Sequence, residues 1–135
     1  MMATCLINFR PELAHLVEDG LVSNTIRALR GDGRDPLPGD TLHLYTGMST
    51  KGTRLLRQEP CQYTMEVTIQ PSAGDVHHVM LGSKLLEQSE IEMLARVNGF
   101  NSAAKFVLHF QKTYGLPFTG LLIGWEPAPV YVTRH

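Results

Sequence analysis

The octapeptide Gly20 to Arg27, GLVSNTIR, is where residues able to do chemistry first crowd together in this chain. Ser23, Asn24 and Thr25 bring hydroxyl and carboxamide groups that both donate and accept hydrogen bonds. Arg27 brings a planar fork of donors suited to an anion. On a strand, alternate residues share a face, so Ile26 is expected to point into a core while Thr25 and Arg27 point the other way. Such a strand supports a core and floors a binding site at once. For Arg27 the competing reading is an exposed or ion-paired surface arginine.

Other chemistries find less support. The six histidines are His15, His43, His77, His78, His109 and His135. His77 and His78 are adjacent, so on a strand they face opposite ways and cannot jointly hold one metal. His109 falls on a helix beside core positions, and each histidine is read as structural. No G-x-S-x-G elbow and no phosphate-binding Walker loop occurs. GDGRDPLPGD lacks the spacing and terminal glutamate of a calcium loop. No metal and no cofactor is therefore expected. Cys5 and Cys61 are isolated, as is usual for reduced, cytosolic thiols. The opening MMATCLINFRPE has neither the basic start nor the long apolar core of a signal peptide. No apolar run approaches the roughly 18 residues of a membrane span. A cytoplasmic location without a membrane partner is expected.

A net charge of -1 removes the simplest electrostatic argument for nucleic acid, a global basic excess. Seven of the twelve Lys and Arg lie between Arg10 and Arg57, but seven acids lie between Glu12 and Glu59. A mixed, solvated surface is the default for such a stretch unless the fold sorts the charges.

The elements that must position these residues are legible from periodicity. The chain's 135 residues suit one domain, taken as 1–135. TCLINF reads as an opening strand. Pro11 suits the first turn of a helix carrying Leu13, Leu16 and Val17, and Gly20 is a left-handed stop. SNTIR reads as a strand, and RGDGRDPLPGD as a loop. TLHLYT alternates with Leu42 and Leu44 inward. CQYTMEVTI alternates with Cys61, Tyr63, Met65, Val67 and Ile69 on one face. VHHVMLG is a further strand candidate. Ser89 and Glu92 are expected to form a capping box for a helix presenting Ile91, Leu94 and Ala95 until Gly99. Ser102 caps a second helix with Ala103, Phe106, Val107, Phe110 and Tyr114 on one face, ended by Gly115 and Pro117. GLLIGW is continuously apolar and reads as a buried strand, with Trp125 in the core. Mostly antiparallel strands with a few helices make an α+β domain, a small barrel flanked by helices.

Three stretches, spanning about Ile7 to Trp125, resemble the ASCH (activating signal cointegrator homology) family, related to the PUA fold of RNA-binding domains. GLVSNTIR keeps the Gly20 and Arg27 of a G-x-K-x-x-E-x-R pattern. PGDTLHLYTGMSTKGTRLL (Pro38 to Leu56) is similar to the G-D-x-L-x-L-Y-T-G-M-x-T-K-x-x-R of phage and prophage members. VNGFNSAAKFVLHFQKTYGLPFTGLLIGW (Val97 to Trp125) resembles their closing helix, Y-G-L-P-F and strand. The resemblance implies a PUA-like β-barrel with a cleft under the octapeptide. It also implies kinship with bacterial amidohydrolases that deacetylate 4-acetylcytidine with a lysine, a threonine and a glutamate.

Carried onto this chain, the threonine matches Thr25, the lysine position holds Val22, and the acidic position falls at Asn98. Valine has no proton chemistry and a carboxamide is not a base, so Thr25 lacks its activator. Asn98 still hydrogen-bonds a base edge or ribose. Lys51 is a second amine that would be needed if catalysis persists. Tyr45 is a candidate to stack a base, and Lys51 and Arg54 to hold phosphate. The expected ligand-binding set is Thr25, Arg27, Tyr45, Lys51, Arg54 and Asn98, with Thr25, Arg27, Lys51 and Asn98 on one cleft. The expected function is binding of RNA or a nucleoside or nucleotide without catalysis. The alternative is an amidohydrolase acting on an acylated nucleoside through Thr25 and Lys51. A second alternative is a phage-encoded protein that binds and inhibits a host protein in the host cytoplasm.

Overall fold

The computed structural model describes residues 2–133, with the side chain of Thr133 left aside. His135 lies outside the described residues. The order is β1 (Thr4–Phe9), α1 (Pro11–Glu18), β2 (Asn24–Ala28), β3 (Thr41–Thr46), β4 (Arg54–Pro60), β5 (Tyr63–Ala73), β6 (Val76–Leu81), β7 (Lys84–Leu85), α2 (Gln88–Val97), α3 (Ala103–Tyr114), β8 (Phe118–Gly124) and α4 (Val130–Thr133). The fold is α+β with mostly antiparallel strands. Among the described residues no helix is long and apolar enough to cross a membrane.

The strands form two sheets, ordered β1-β3-β4 and β2-β8-β5-β6-β7, rather than the closed barrel expected. β1 runs parallel to β3, so the chain between them must cross over, and α1, β2 and the 29–40 loop make that crossing. No backbone ladder joins β1 to β2. Side chains stand in that seam instead: the Arg27 guanidinium carbon sits 4.9 Å from the Phe9 ring centre, and Arg30 Nη2 donates to the Leu6 carbonyl at 2.9 Å.

Two cores follow from the two sheets. One lies between the larger sheet and the helices, with Ile26, Val67, Ile69, Leu81, Ile91, Leu94, Phe106 and Leu122 buried. The other lies between the sheets and under α1, with Ile7, Phe9, Val17, Leu42, Leu44, Ile123 and Trp125 buried. β8 serves both, Leu122 facing one core and Ile123 the other, which explains why its sequence is apolar without alternation. Trp125 packs edge-on against Phe9 at 6.0 Å between ring centres.

Several local expectations need correction. Cys61 does not share the face of Met65, Val67 and Ile69: β5 begins at Tyr63, and Cys61 sits at the corner between sheets, buried in the second core. Arg54–Pro60 is a strand that periodicity misses, because it is half exposed and its pairing with β3 shifts register between Leu44 and Tyr45. The α2 capping box uses Glu87 and Glu90, with Glu87 N–H donating to Glu90 Oε1 at 2.9 Å. Ser89 lies within the first turn, and Glu92 instead accepts the Ala103 N–H that starts α3. Ser102 does cap α3, its Oγ accepting from Lys105 N–H.

Candidate functional site

The unclosed seam opens into a cavity of about 310 Å³. The end of β1, Arg10 and Leu13 of α1 border it on one side. Val22 and residues 24–27 of β2 line it on another. Asn98 and Phe100 after α2, with His109, Phe110, Thr113 and Tyr114 of α3, complete it. β2 is an edge strand, so half its main-chain groups are not used by the sheet. The Trp125 N–H to Ser23 carbonyl bond sets the phase, and with the pairings Thr25↔Ile123 and Arg27↔Leu121 it turns the N–H and C=O of Asn24 and Ile26 away from β8. The free edge of β2 therefore offers a backbone donor and acceptor to the seam.

Thr25 and Arg27 point to the same face, as alternation requires, and Arg27 Nε donates to Thr25 Oγ1 at 3.1 Å. That bond and the Phe9 ring aim the guanidinium while leaving both Nη groups without a protein partner among the described residues. Burial lowers the Arg27 pKa to about 10; Arg30 and Arg10 push the same way and Tyr114 opposes. The side chain therefore stays charged at neutral pH. Among the described residues the cavity's lining includes Arg10, Arg27 and His109 but no carboxylate and no lysine. Elsewhere the cations that meet acids do so outside the cavity: Arg54 with Glu18, Arg57 with Glu59, Lys84 with Glu90 and Arg96 with Glu92.

The carboxamides form a fixed chain. Asn98 Nδ2 donates to Asn24 Oδ1 and to the Leu94 carbonyl, both at 2.9 Å. A carbonyl only accepts, so the second bond fixes which end of the Asn98 amide is nitrogen, and its oxygen remains as an acceptor. Asn24 is 1% exposed and engages the Tyr63 side chain in turn. Asn24 and Tyr63 stand opposite Gly124 on either side of it, and the Tyr63 ring lies where a Gly124 Cβ would be, 2.1 Å from that position. A residue without a side chain is what lets the tyrosine reach across β8.

The helical wall is aromatic. Phe100 and His109 ring centres are 5.2 Å apart, His109 and Phe110 5.1 Å, and Phe110 and Tyr114 are stacked at 6.0 Å. Burial, then the Arg10 charge, lowers the His109 pKa, so the ring is neutral at pH 7. Tyr114, near the end of α3, is 53% exposed at the cavity rim.

Of the residues expected at the site, Thr25, Arg27 and Asn98 line this cavity, as does Val22. Tyr45, Lys51 and Arg54 do not. Tyr45 lies on β3 beside His43, with ring centres 6.4 Å apart. Arg54 is paired with Glu18. Lys51 is exposed in the turn between β3 and β4, a turn tied to Asn8 by the Met48 N–H at 3.0 Å. Thr25 and Lys51 are thus not brought together in the cavity. Arg10, Asn24, Phe100, His109 and Tyr114 were not singled out from sequence as ligand-facing. The spacing of Phe106, Phe110 and Tyr114 was legible as one helix face, but which of them would reach a rim was not.

A second cavity of about 550 Å³ lies between β1 and the 29–40 loop. It is larger, yet its charges already hold the loop in place. Asp40 accepts the Ala3 and Leu37 N–H groups, Asp35 accepts that of Arg30, and Arg30 is bonded to Leu6. Among the described residues no three His, Cys, Asp or Glu side chains gather where a metal ion would be held. No protein-family model, no curated protein and no solved structure matches this chain.

Proposed function

We propose that the chain is an ASCH-type, PUA-like domain that binds RNA or a nucleoside or nucleotide in the seam cavity and does not hydrolyse it. One observation carries the reading: a cavity whose charged lining, among the described residues, is Arg10 and Arg27 without a carboxylate, facing the aromatic groups of Phe100, His109 and Tyr114. Planar rings take a base face, and arginines take phosphate. The open β2 edge and the Asn98 carbonyl supply donors and acceptors for a base edge. At about 310 Å³ the cavity lies at the lower end of small-ligand sites, roughly 300–1,000 Å³, which suits one nucleoside-sized group.

Hydrolysis of an acylated nucleoside has less to work with. Thr25 accepts a hydrogen bond from Arg27, which is a donor and not a base. The test is titration of short RNA oligonucleotides against the protein and its Arg27→Ala variant at several salt concentrations. Binding is expected to weaken with salt and with the substitution, because ion contacts are screened and counterions released. Binding indifferent to both would move the ligand off this cavity. Turnover of 4-acetylcytidine that Thr25→Ala abolishes would replace recognition with catalysis.

A further inference from the structure

Resting on that reading, we propose that the seam cavity is a site for one phosphorylated nucleotide, a nucleoside monophosphate either free or at the end of a strand. Its phosphate would lie on the open fork of Arg27 beside Arg10, and its base against the aromatic wall of α3. A bare nucleoside is not the ligand that satisfies the site.

Arg27 presents a fork of donors that the described residues leave open. Its Nε is committed to Thr25 and its face to Phe9, so the guanidinium is held in one orientation before any ligand arrives. The two Nη groups point their donors as a pair, the geometry that recognises two oxygens of one phosphate. Arg10 and Arg30 are close enough for their charges to act on Arg27, and Arg10 lines the same cavity. Arg30 is partly occupied by the Leu6 carbonyl, so Arg10 and Arg27 are the pair available. A neutral nucleoside would leave the two like charges on the cavity wall uncompensated. A dianionic phosphate resolves both.

Size limits the rest. A cavity of about 310 Å³ bounded by β1, β2 and α3 has no room for a tract of bases. The second base of a strand would have to leave past exposed Tyr114 at the rim.

Calorimetric titration of the full chain with cytidine, cytidine 5′-monophosphate, adenosine, adenosine 5′-monophosphate and inorganic phosphate tests the idea. The monophosphates are expected to bind at least about 10-fold tighter than their nucleosides, since charge-assisted bidentate contacts are the strong ones. Inorganic phosphate is expected to compete weakly. Arg27→Lys keeps the charge but loses the fork, and Arg10→Ala changes an exposed residue; each is expected to remove most of the preference for a monophosphate over its own nucleoside. A nucleoside that binds as tightly as its monophosphate overturns the phosphate site and leaves the binding function standing. Phosphate that binds as tightly as the nucleotide overturns the base wall. If neither nucleosides nor monophosphates bind, the reading of the cavity and this inference fall together.

Discussion

Replacing Gly124 by alanine isolates the side-chain chain that sets the floor of the cavity. Gly124 is not among the glycines with a left-handed backbone, so alanine meets no strain from φ there. With nothing in the way, Gly→Ala would stabilise by about 0.4–1 kcal/mol through the unfolded chain. Here the new Cβ would fall 2.1 and 2.2 Å from two Tyr63 ring carbons, far inside contact distance. The ring must leave, and with it the contact to the first core and the Tyr63–Asn24 hydrogen bond. Overpacking costs about 1–3 kcal/mol, and the lost hydrogen bond about 1 kcal/mol. Setting the unfolded-state gain against these leaves a net loss of about 1–3.5 kcal/mol. For a domain of this size that lowers Tm by about 3–5 °C per kcal/mol. The assay is thermal and urea unfolding of the wild type, Gly124→Ala, Tyr63→Val and the double variant. Because the clash needs both side chains, the double variant is expected to be more stable than the sum of the single effects implies, by more than about 0.5 kcal/mol. A Gly124→Ala protein as stable as the wild type, or effects that simply add, would refute the packing argument.

Two further outcomes follow from titrating groups. Burial, with the Asp40 charge and then that of Cys5, pushes the Cys61 thiol up to about 11, and burial then Asp40 raise Cys5. At pH 8 only about a thousandth of Cys61 is thiolate, so iodoacetamide is expected to label neither cysteine until denaturant is added; rapid labelling of the native protein would show the second core to be open. His109 is held neutral by burial and by Arg10, so between its lowered folded value and the ordinary value near 6.5 the unfolded chain binds more protons. Its stabilising contribution is complete above about pH 6.5 and is lost as pH falls towards the folded value. Urea midpoints of His109→Gln are therefore expected to fall less than the wild type's between pH 7 and 5, and parallel curves would refute the assignment.

What was legible in the sequence was whatever repeats with the period of one element. β1, β3, α1 and α3 stand at their expected positions because their apolar residues recur every two or three to four places. The seam was not legible, because whether two edge strands pair depends on what stands between them. Arg27 on Phe9 and Arg30 on Leu6 are contacts between distant segments, and no local pattern encodes them. The same limit governs the site. Thr25, Arg27 and Asn98 were reached through their matching stretches and do line one cavity. Lys51 and Arg54 were expected at the same site, yet the β3–β4 turn carries one into solvent and Glu18 holds the other. Asn24 belongs to the polar cluster Ser23-Asn24-Thr25, yet nothing local to it says that its amide turns inward while that of Asn98 reaches the cavity. It is in the core, and there its amide buttresses Asn98.

The hydrogen bond from Arg27 to Thr25 separates the two chemistries considered for this cavity. A threonine that attacks a carbonyl needs a proton acceptor within about 2.6–3.2 Å of its hydroxyl. The partner Thr25 has instead is a permanent donor, 3.1 Å away. Of the ionisable side chains on the cavity wall among the described residues, His109 is the one able to take a proton near neutral pH, and it stands on α3 rather than beside Thr25 on β2. What the bond does accomplish is to hold a cation in a partly dry place. The Phe9 contact gives back about 0.5–2 kcal/mol and a hydrogen bond to a charged group about 1.5–3 kcal/mol. Taking such a charge from water costs several kcal/mol even after relaxation, and among the described residues no carboxylate lines the cavity to offset it. Both Nη groups of half-buried Arg27 have no protein partner among the described residues, so a ligand that brings negative charge there gains contacts the fold itself does not supply.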